Sequence, residues 1–308
     1  MEVSYRCNMT QHATIKNGEH INTYLHYQYI TRKGKYKDYK ENNRKVIYTK
    51  SDNLPQWADN NPDIFWEKAE ELRTREGSNY NKGRQPRGYR EITVTLQMIF
   101  SLEENIECIN KLLKASEIKN KFAYTIAIHE EPARWDDELT NIHCHIMFDE
   151  REIEHDRVIE TAEEYFKKHS VKKDGSITGG YKKNRFIRSK TYLNKIRKDW
   201  ADIINKKLKS KGIKERVSEK SLSEQAKELR EKGEIKKAKA LERKPAPKMY
   251  SYTKNKKIQK AIKERIQTIE NGNTENLKTN NITKTEQMIL LYAEDAVRRK
   301  KAKEILKE

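Results

Sequence analysis

Apolar positions recur with two different periods along the first two thirds of this 308-residue chain. The alternation typical of a half-buried strand occurs in residues 2–7, 89–98, 122–129 and 141–151. The spacing of an amphipathic helix occurs in residues 19–33, 62–75, 102–113, 157–169 and 189–209. Strands joined through loops, with helices between them, predict an α+β domain in which helices flank an antiparallel sheet.

The predicted helix over residues 19–33 is rich in tyrosine. Ile21, Leu25 and Tyr29 recur at four-residue spacing, so they predict the face that packs against the domain. Tyr27 lies between two of these positions and is expected to point away from that face. On this evidence alone, Tyr29 is most simply a core aromatic residue.

The last third of the chain differs from the rest in amino-acid composition. After residue 210 it consists largely of helix-forming residues with many Lys and Glu, interrupted by polar stretches at 243–249 and 270–281. We expect a first domain over residues 1–210 and a charged, helical, basic region over residues 211–308 that serves accessory interactions.

The charge balance of the chain indicates a polyanionic partner. It has 66 Lys and Arg against 47 Asp and Glu, a formal net charge of +19. Clustered cations gain affinity for phosphate through counterion release. Solvated charge on long helices is the alternative explanation for the last third.

Three well-separated cysteines provide neither a disulfide framework nor a four-cysteine zinc site. No apolar run approaches the roughly 18 residues of a membrane span, and the first residues lack a signal-peptide core. The sequence therefore predicts no membrane insertion and a cytoplasmic location.

Two histidines lie one residue apart in the strand-like stretch "NIHCHIMFDER", residues 141–151. His143 and His145 share one face of a strand, opposite the apolar face. His129 ends the preceding strand, and a hairpin would bring all three imidazoles together. Such a group can hold a divalent ion and leave positions open. Ligand softness favours zinc, nickel or copper, whereas a phosphate substrate would add hard ligands suited to manganese or magnesium.

A metal site in a strongly basic protein favours phosphoryl chemistry, in which the ion polarises a phosphodiester. The attacking group could be a water molecule or a side chain, and spacing alone leaves both open.

Four segments occur in the order found in a known family: "YITRKGKY" (29–36), "YREITVTL" (89–96), "YTIAIHEEP" (124–132) and "NIHCHIMFDER" (141–151). Over roughly residues 20–208 the chain resembles conjugative relaxases of the MobA/MobL group, within the HUH class of single-strand endonucleases. The resemblance implies an HUH relaxase-like fold. It departs at Ile142, where the family usually has Pro, and after residue 212, where the usual following motif is missing.

The resemblance also implies roles for individual residues. It makes Tyr29 the nucleophile and His129, His143 and His145 the ligands of a divalent ion, with manganese or magnesium favoured in use and zinc or nickel able to occupy the site. Glu91 would hydrogen-bond a ligand imidazole or help to take the tyrosine proton. The implied enzyme nicks and rejoins one strand at a transfer origin of a plasmid or conjugative element through a 5′-phosphotyrosine intermediate.

Single-stranded DNA is expected to bind the basic segment, which we define as residues 166–198. It carries twelve Lys or Arg against one acid, with Tyr181 and Phe186 available for base stacking. The residues expected to contact DNA are Arg32, Lys33, Lys35, Arg151, Lys182, Lys183, Arg185 and Arg188. The expected partners are the transfer-origin strand with an adjacent hairpin, relaxosome accessory proteins and a conjugative coupling protein.

Two other classes of function remain open. A rolling-circle replication initiator has the same histidine motif, but its nucleophile would be Tyr165, Tyr181 or Tyr192. A non-catalytic basic DNA-binding protein with a structural metal would cleave no strand with any metal.

Overall fold

The computed structural model describes most of the chain up to residue 242. The described residues are 5–13, 15–16, 19–20, 22–37, 44–75, 87–133, 136–154, 156–242, 268 and 271. Nearly all of residues 243–308, expected to be helical, therefore lie outside the described residues.

One antiparallel sheet organises the domain. Its strands are Cys7–Ala13 (β1), Lys45–Asp52 (β4), Arg87–Thr95 (β5), Tyr124–Ala133 (β6) and Asp136–Phe148 (β7). They are ordered β1-β5-β7-β6-β4, and every neighbouring pair is antiparallel. Two small sheets pair Ile15–Lys16 (β2) with Glu19–His20 (β3), and Ser170–Val171 (β8) with Ile177–Thr178 (β9).

Helices pack on both faces of the five-stranded sheet, and two further helices that follow them in the chain pack on each other. The helices are Thr23–Thr31 (α1), Pro62–Arg75 (α2), Leu102–Ala115 (α3), Ile118–Lys121 (α4), Ala162–Phe166 (α5), Lys190–Ser210 (α6), Leu222–Glu231 (α7) and Ile235–Ala240 (α8). The predicted class, an α+β fold with an antiparallel sheet and flanking helices, is confirmed.

The alternation along β6 and β7 separates two cores. Ile126, Cys144 and Ile146 face one side and are buried against α3 and α6. Ala127 and Met147 face the other side, in a core that includes residues of α1, α2 and α5. The histidines share this second side, because side chains two residues apart in a strand point the same way.

The helix predicted over residues 19–33 is shorter than expected. Residues 19–20 belong to β3, and α1 begins after Asn22, whose side chain accepts a hydrogen bond from the Leu25 backbone N–H at 2.8 Å. This N-cap satisfies an otherwise unpaired amide. Ile21, the first position of the predicted inward face, lies outside the described residues.

The inward face of α1 also differs from the prediction. Tyr27 and Ile30 are fully buried in the second core, whereas Tyr29 is half-buried at its edge. The Tyr27 hydroxyl donates to Asp63 of α2 at 3.1 Å, and Lys33 donates to the same hydroxyl at 2.9 Å. Tyr27 therefore anchors α1 to α2, and the expectation that it points away from the core was wrong.

Other boundaries shift without changing the order of elements. The strand expected at residues 2–7 begins at Cys7, and residues 2–4 lie outside the described part. The helix expected over 157–169 contracts to α5. The helices expected at 62–75 and 189–209 agree closely with α2 and α6. All three cysteines are buried free thiols.

After α6, the helices α7 and α8 pack on each other. Ala226, Ala238 and Leu241 form a small apolar cluster between them. The division of the chain at residue 210 stays a prediction. Within the part of the chain that the structure describes, no helix is both long and apolar enough to cross a membrane.

A capping box begins α3, the helix that supports the sheet from the side opposite the histidines. The Ser101 hydroxyl accepts from the Glu104 backbone N–H, and the Glu104 carboxylate accepts from the Ser101 N–H at 2.9 Å. Ser101→Ala should lower the free energy of unfolding by about 1 kcal/mol, measured by urea denaturation. Ser101→Asp keeps an acceptor and should lose much less, so an equal loss would contradict the capping explanation.

Candidate metal centre and neighbouring tyrosine

Strand register brings the predicted histidines together. His129 of β6 pairs directly with His143 of β7, and His145 lies two residues further on the same face. The ring centroids are 4.7 to 5.2 Å apart. One ligating nitrogen from each ring lies within 4.8 Å of the other two. We call these three residues the histidine cluster.

In His129 and His145, one ring nitrogen donates a hydrogen bond, so the other ring nitrogen is the one that can bind an ion. The backbone carbonyl of Ile30 accepts from Nε2 of His129 at 2.6 Å, so Nδ1 of that ring is unprotonated. The Glu91 carboxylate accepts from Nδ1 of His145 at 2.5 Å, which leaves Nε2 free to ligate. Nε2 of His143 lies 3.1 Å from Nε2 of His145. Acceptors such as the Ile30 carbonyl and the Glu91 carboxylate fix the tautomer and the orientation of imidazoles that bind a metal.

A divalent ion would satisfy an atom that is otherwise costly to bury. Nδ1 of His129 is buried and has no hydrogen-bond partner among the described residues. The Glu131 carboxylate lies 3.6 Å from it, beyond hydrogen-bonding distance. An unpaired buried acceptor destabilises the fold, and coordination would remove that cost. The donor set therefore fits a divalent ion.

Burial keeps two of the three imidazoles, those of His129 and His143, neutral. It lowers the pKa of His129 to about 3, and the neighbouring His145 lowers it further. Burial likewise holds the pKa of His143 well below its usual value, with His145 and His129 acting in the same direction. The neutral form is the one that ligates a metal, so these two imidazoles are ready to bind an ion at neutral pH.

Glu91 connects the cluster to helix α1. It is buried, and the same oxygen that accepts from His145 lies 3.2 Å from Nε2 of His26. The His26 ring stacks on Tyr89 with centroids 4.7 Å apart. Sequence reasoning missed His26, although it lies three positions before Tyr29, a spacing that places two side chains together on a helix.

Tyr29 lies at the edge of the histidine cluster. Its ring centroid is 6.4 Å from that of His129 and 6.0 Å from that of His26. It also meets Tyr36 edge-on at 5.5 Å. The half-buried tyrosine thus joins the three histidines in one site, and this juxtaposition is the central feature of the structure.

The structure separates the predicted DNA contacts into exposed and buried groups. Lys182, Lys35 and Arg185 are exposed, and Lys183 is partly exposed. Lys33 forms an ion pair with Asp63.

Two of the predicted contacts are arginines enclosed by protein. Arg151 is buried beside Asp149 and donates to the Phe166 carbonyl at 3.0 Å. Arg32 is also buried, with its side chain paired to Glu131. Neither guanidinium is presented to a phosphate, so the structure does not support the expectation of DNA contacts by these two.

The last predicted contact, Arg188, pairs with buried Glu150 at 2.5 Å, and the same carboxylate also binds Arg90. Arg188 therefore anchors the basic segment to the sheet domain. Phe186 beside it is 54% exposed, whereas Tyr181 is buried with its hydroxyl bonded to the Arg157 carbonyl. Of the two aromatic residues proposed for base stacking, only Phe186 is available.

The three rival tyrosines are interior residues. Tyr165, Tyr181 and Tyr192 are at most 7% exposed. Their hydroxyls donate respectively to Asp149, to the Arg157 carbonyl and to the Ser116 carbonyl. Burial raises the pKa of Tyr181 and of Tyr192, which makes them poorer nucleophiles.

Comparison with known proteins identifies the family of the chain. The MobA/MobL family model matches residues 13–244, and the chain belongs to that family. It is 30% identical over 220 residues to the 43 kDa relaxation protein of Salmonella typhimurium, covering 70% of this chain and 54% of that protein. It is 26% identical over 198 residues to Mobilization protein A of Escherichia coli, covering 64% and 24%.

The chain therefore spans about half the length of the first relative and about a quarter of the second. A solved structure from work on the molecular basis of vancomycin resistance transfer in Staphylococcus aureus is 19% identical, with a TM-score of 0.45. The match covers 71% of this chain and 100% of that one.

Removing two members of the histidine cluster should abolish metal binding. The double variant His143→Ala, His145→Ala leaves one imidazole, which cannot hold the ion alone. Calorimetric titration with Mn²⁺ should show binding to the unmodified protein and none to the variant. His169→Ala, which changes a histidine bonded to the Gly180 carbonyl outside the cluster, should bind as before. Unchanged Mn²⁺ affinity in the double variant would rule out this site.

Proposed function

We propose that this protein is a relaxase that nicks and rejoins one DNA strand at the transfer origin of a plasmid or conjugative element. The observation that carries the proposal is the position of Tyr29, whose ring lies 6.4 Å from His129 of the histidine cluster. Family membership supports it, as do the names of the two relatives, one a relaxation protein and one a mobilization protein.

The histidine cluster would hold one divalent ion through Nδ1 of His129 and Nε2 of His143 and His145. Such an ion polarises a phosphodiester and offsets the negative charge of its transition state. Three protein ligands leave coordination positions for phosphate oxygens. Those hard oxygens favour manganese or magnesium in use, although zinc or nickel also suits imidazole ligands.

Tyr29 would supply the nucleophile. Its phenolic oxygen forms a bond to the scissile phosphorus while the bond from phosphorus to the 3′ oxygen breaks. The phenolic proton leaves, and the departing 3′ oxygen takes up a proton to become a hydroxyl. Attack by that hydroxyl on the 5′-phosphotyrosine reverses the reaction and rejoins the strand without ATP.

Proton removal needs assistance, because an ordinary phenol with a pKa near 10 is mostly protonated at neutral pH. Glu91 orients His145 and lies on the same side of the sheet as Tyr29. We propose that it positions the ligand, with acceptance of the tyrosine proton as the second role suggested for it. His26 shares the Glu91 carboxylate and so belongs to the same hydrogen-bonded unit.

The exposed part of the basic segment would guide the substrate strand. Lys182, Lys183 and Arg185 lie near the exposed ring of Phe186, a combination suited to backbone contacts and base stacking. Lys35, just after α1, would contact phosphates near the nick. Relaxosome accessory proteins and a conjugative coupling protein are the proposed partners, and the cytoplasm is the proposed location.

The initiator alternative requires one of three buried tyrosines to reach a phosphate. Tyr165, Tyr181 and Tyr192 would each have to leave a packed core and give up a hydrogen bond. Exposure of Tyr29 beside the cluster therefore favours the relaxase.

Tyr29→Phe should abolish cleavage and covalent attachment together, since both come from one transesterification. The ring and its packing remain, so affinity for a single-stranded origin oligonucleotide should change less than twofold, about 0.4 kcal/mol. The measurement is a denaturing gel with Mn²⁺ and 3′-labelled DNA, followed by mass spectrometry of the linked peptide. Tyr24→Phe, also on α1, is the matched control and should form the adduct normally.

A full-strength adduct from Tyr29→Phe would overturn the assignment of the nucleophile. DNA linked to Tyr165, Tyr181 or Tyr192 would favour the initiator. Binding without cleavage under any metal would favour the non-catalytic DNA-binding protein.

Charge removal at Lys182, Lys183 and Arg185 tests the path of the strand. Changing these three residues to Gln should weaken single-strand binding and flatten the plot of log K against log salt by about 0.7 per lost phosphate contact. Fluorescence anisotropy at several salt concentrations gives both quantities. Arg188 is left unchanged, because its removal would leave buried Glu150 with one partner fewer.

The matched control changes Lys206, Lys209 and Lys214, exposed residues on and just after α6, to Gln. It removes the same charge from another surface and should keep the original salt slope. Equal slopes for both triple variants would show that the basic segment contributes only net charge.

A further inference from the structure

Helix α1 ends at a residue with a long side chain, in a backbone conformation that favours glycine. Arg32 caps it in the left-handed conformation, with φ 54° and ψ 46°. Helices commonly end in this left-handed conformation, but usually at Gly or Asn, because the conformation is strained for a residue with a Cβ. Gly34 follows only two residues later with φ 54°. An arginine in the strained position points to a task for its side chain.

The Arg32 side chain turns back onto the residue proposed as nucleophile. Its Nη1 donates to the Tyr29 carbonyl at 3.0 Å, and its guanidinium carbon lies 4.6 Å from the centroid of the Tyr29 ring. One side chain therefore contacts both the backbone and the ring of Tyr29. Contact of a guanidinium with a ring face is attractive, most strongly where water is excluded.

The other end of the guanidinium contacts the metal-ligand strand. Nη2 of Arg32 pairs with Glu131 of β6, whose carboxylate lies 3.6 Å from Nδ1 of His129. Helix α1 and strand β6 are thus joined beside both the tyrosine ring and a predicted ligand. With a side chain only 1% exposed, Arg32 has little surface left for a DNA phosphate.

We propose that Arg32 is a positioning residue that holds the Tyr29 ring against the histidine cluster through its bridge to Glu131. The inference rests on the proposed function and adds a residue to its machinery. The guanidinium fixes the direction from which the phenolic oxygen approaches the phosphate. Displacement by about 1 Å can cost about 100-fold in rate.

Arg32→Gly is an informative variant, because glycine suits the left-handed backbone and the change removes only the side chain. Single-turnover adduct formation with saturating origin oligonucleotide and Mn²⁺ should slow by about 100-fold. Oligonucleotide affinity should stay within about twofold (~0.4 kcal/mol). Free guanidinium ion at millimolar concentration should restore part of the rate. Arg32→Lys keeps the charge but not the planar fork, so its rate should remain low.

Glu117→Gly is the matched control. It places glycine at another left-handed position, φ 63°, before α4 and on the opposite side of the sheet. Its adduct formation should equal that of the unmodified protein, with no response to guanidinium. Thermal unfolding of both variants shows whether either glycine change disturbs the fold.

A second readout does not depend on activity. Acetylation of Tyr29 by N-acetylimidazole, followed by mass spectrometry, should be several-fold faster in Arg32→Gly and slow again with guanidinium. Unchanged acetylation, or an unchanged rate of adduct formation, would overturn the inference. So would a fall in affinity with a flatter salt slope, which marks a phosphate contact. Absence of an adduct from the unmodified protein would instead refute the proposed function, and acetylation would still test the position of Tyr29.

Discussion

The antiparallel pairing of His129 with His143 is the constraint on which the rest of the site depends. Side chains alternate along a strand. A slip of one residue between β6 and β7 would therefore turn the histidines of one strand towards the opposite face of the sheet, where the core against α3 and α6 lies. The register is held by the residues that alternate with the histidines in β7, since Cys144 and Ile146 are buried on the opposite face. Core packing and ligand placement are therefore decided together.

The sequence predicted those parts of the molecule in which a local pattern of apolar and polar residues is compatible with only one structure. The histidine strand is an example, because Ile142, Cys144 and Ile146 alternate with polar positions and so assign both faces. The order of strands in the sheet was less accessible. β5 pairs with β7, although β6 lies between them in the sequence. Such pairing depends on contacts between distant segments, which no local hydrophobic period encodes.

Helix α1 shows why the remaining details escaped prediction. Its apolar and aromatic residues are so closely spaced that two different faces fit the pattern, and the packing of Tyr27 and Ile30 in the second core decides between them. Burial of Arg32 and Arg151 was missed for another reason. A charged residue in a sequence reads as a surface residue, whereas here acidic partners at Glu131 and Asp149 make burial tolerable.

The shared oxygen of Glu91 gives the site a mechanical property. The three histidines of the cluster lie on two strands joined by backbone hydrogen bonds, whereas Tyr29 lies on a helix of nine residues. His26 on that helix and His145 on the strand bind the same oxygen atom. Any displacement of α1 therefore moves Tyr29, the proposed nucleophile, and, through Glu91, also alters the orientation of the His145 ring. Under the proposed function, a substrate strand that binds against α1 would therefore bring the tyrosine and the histidine cluster into alignment in a single movement.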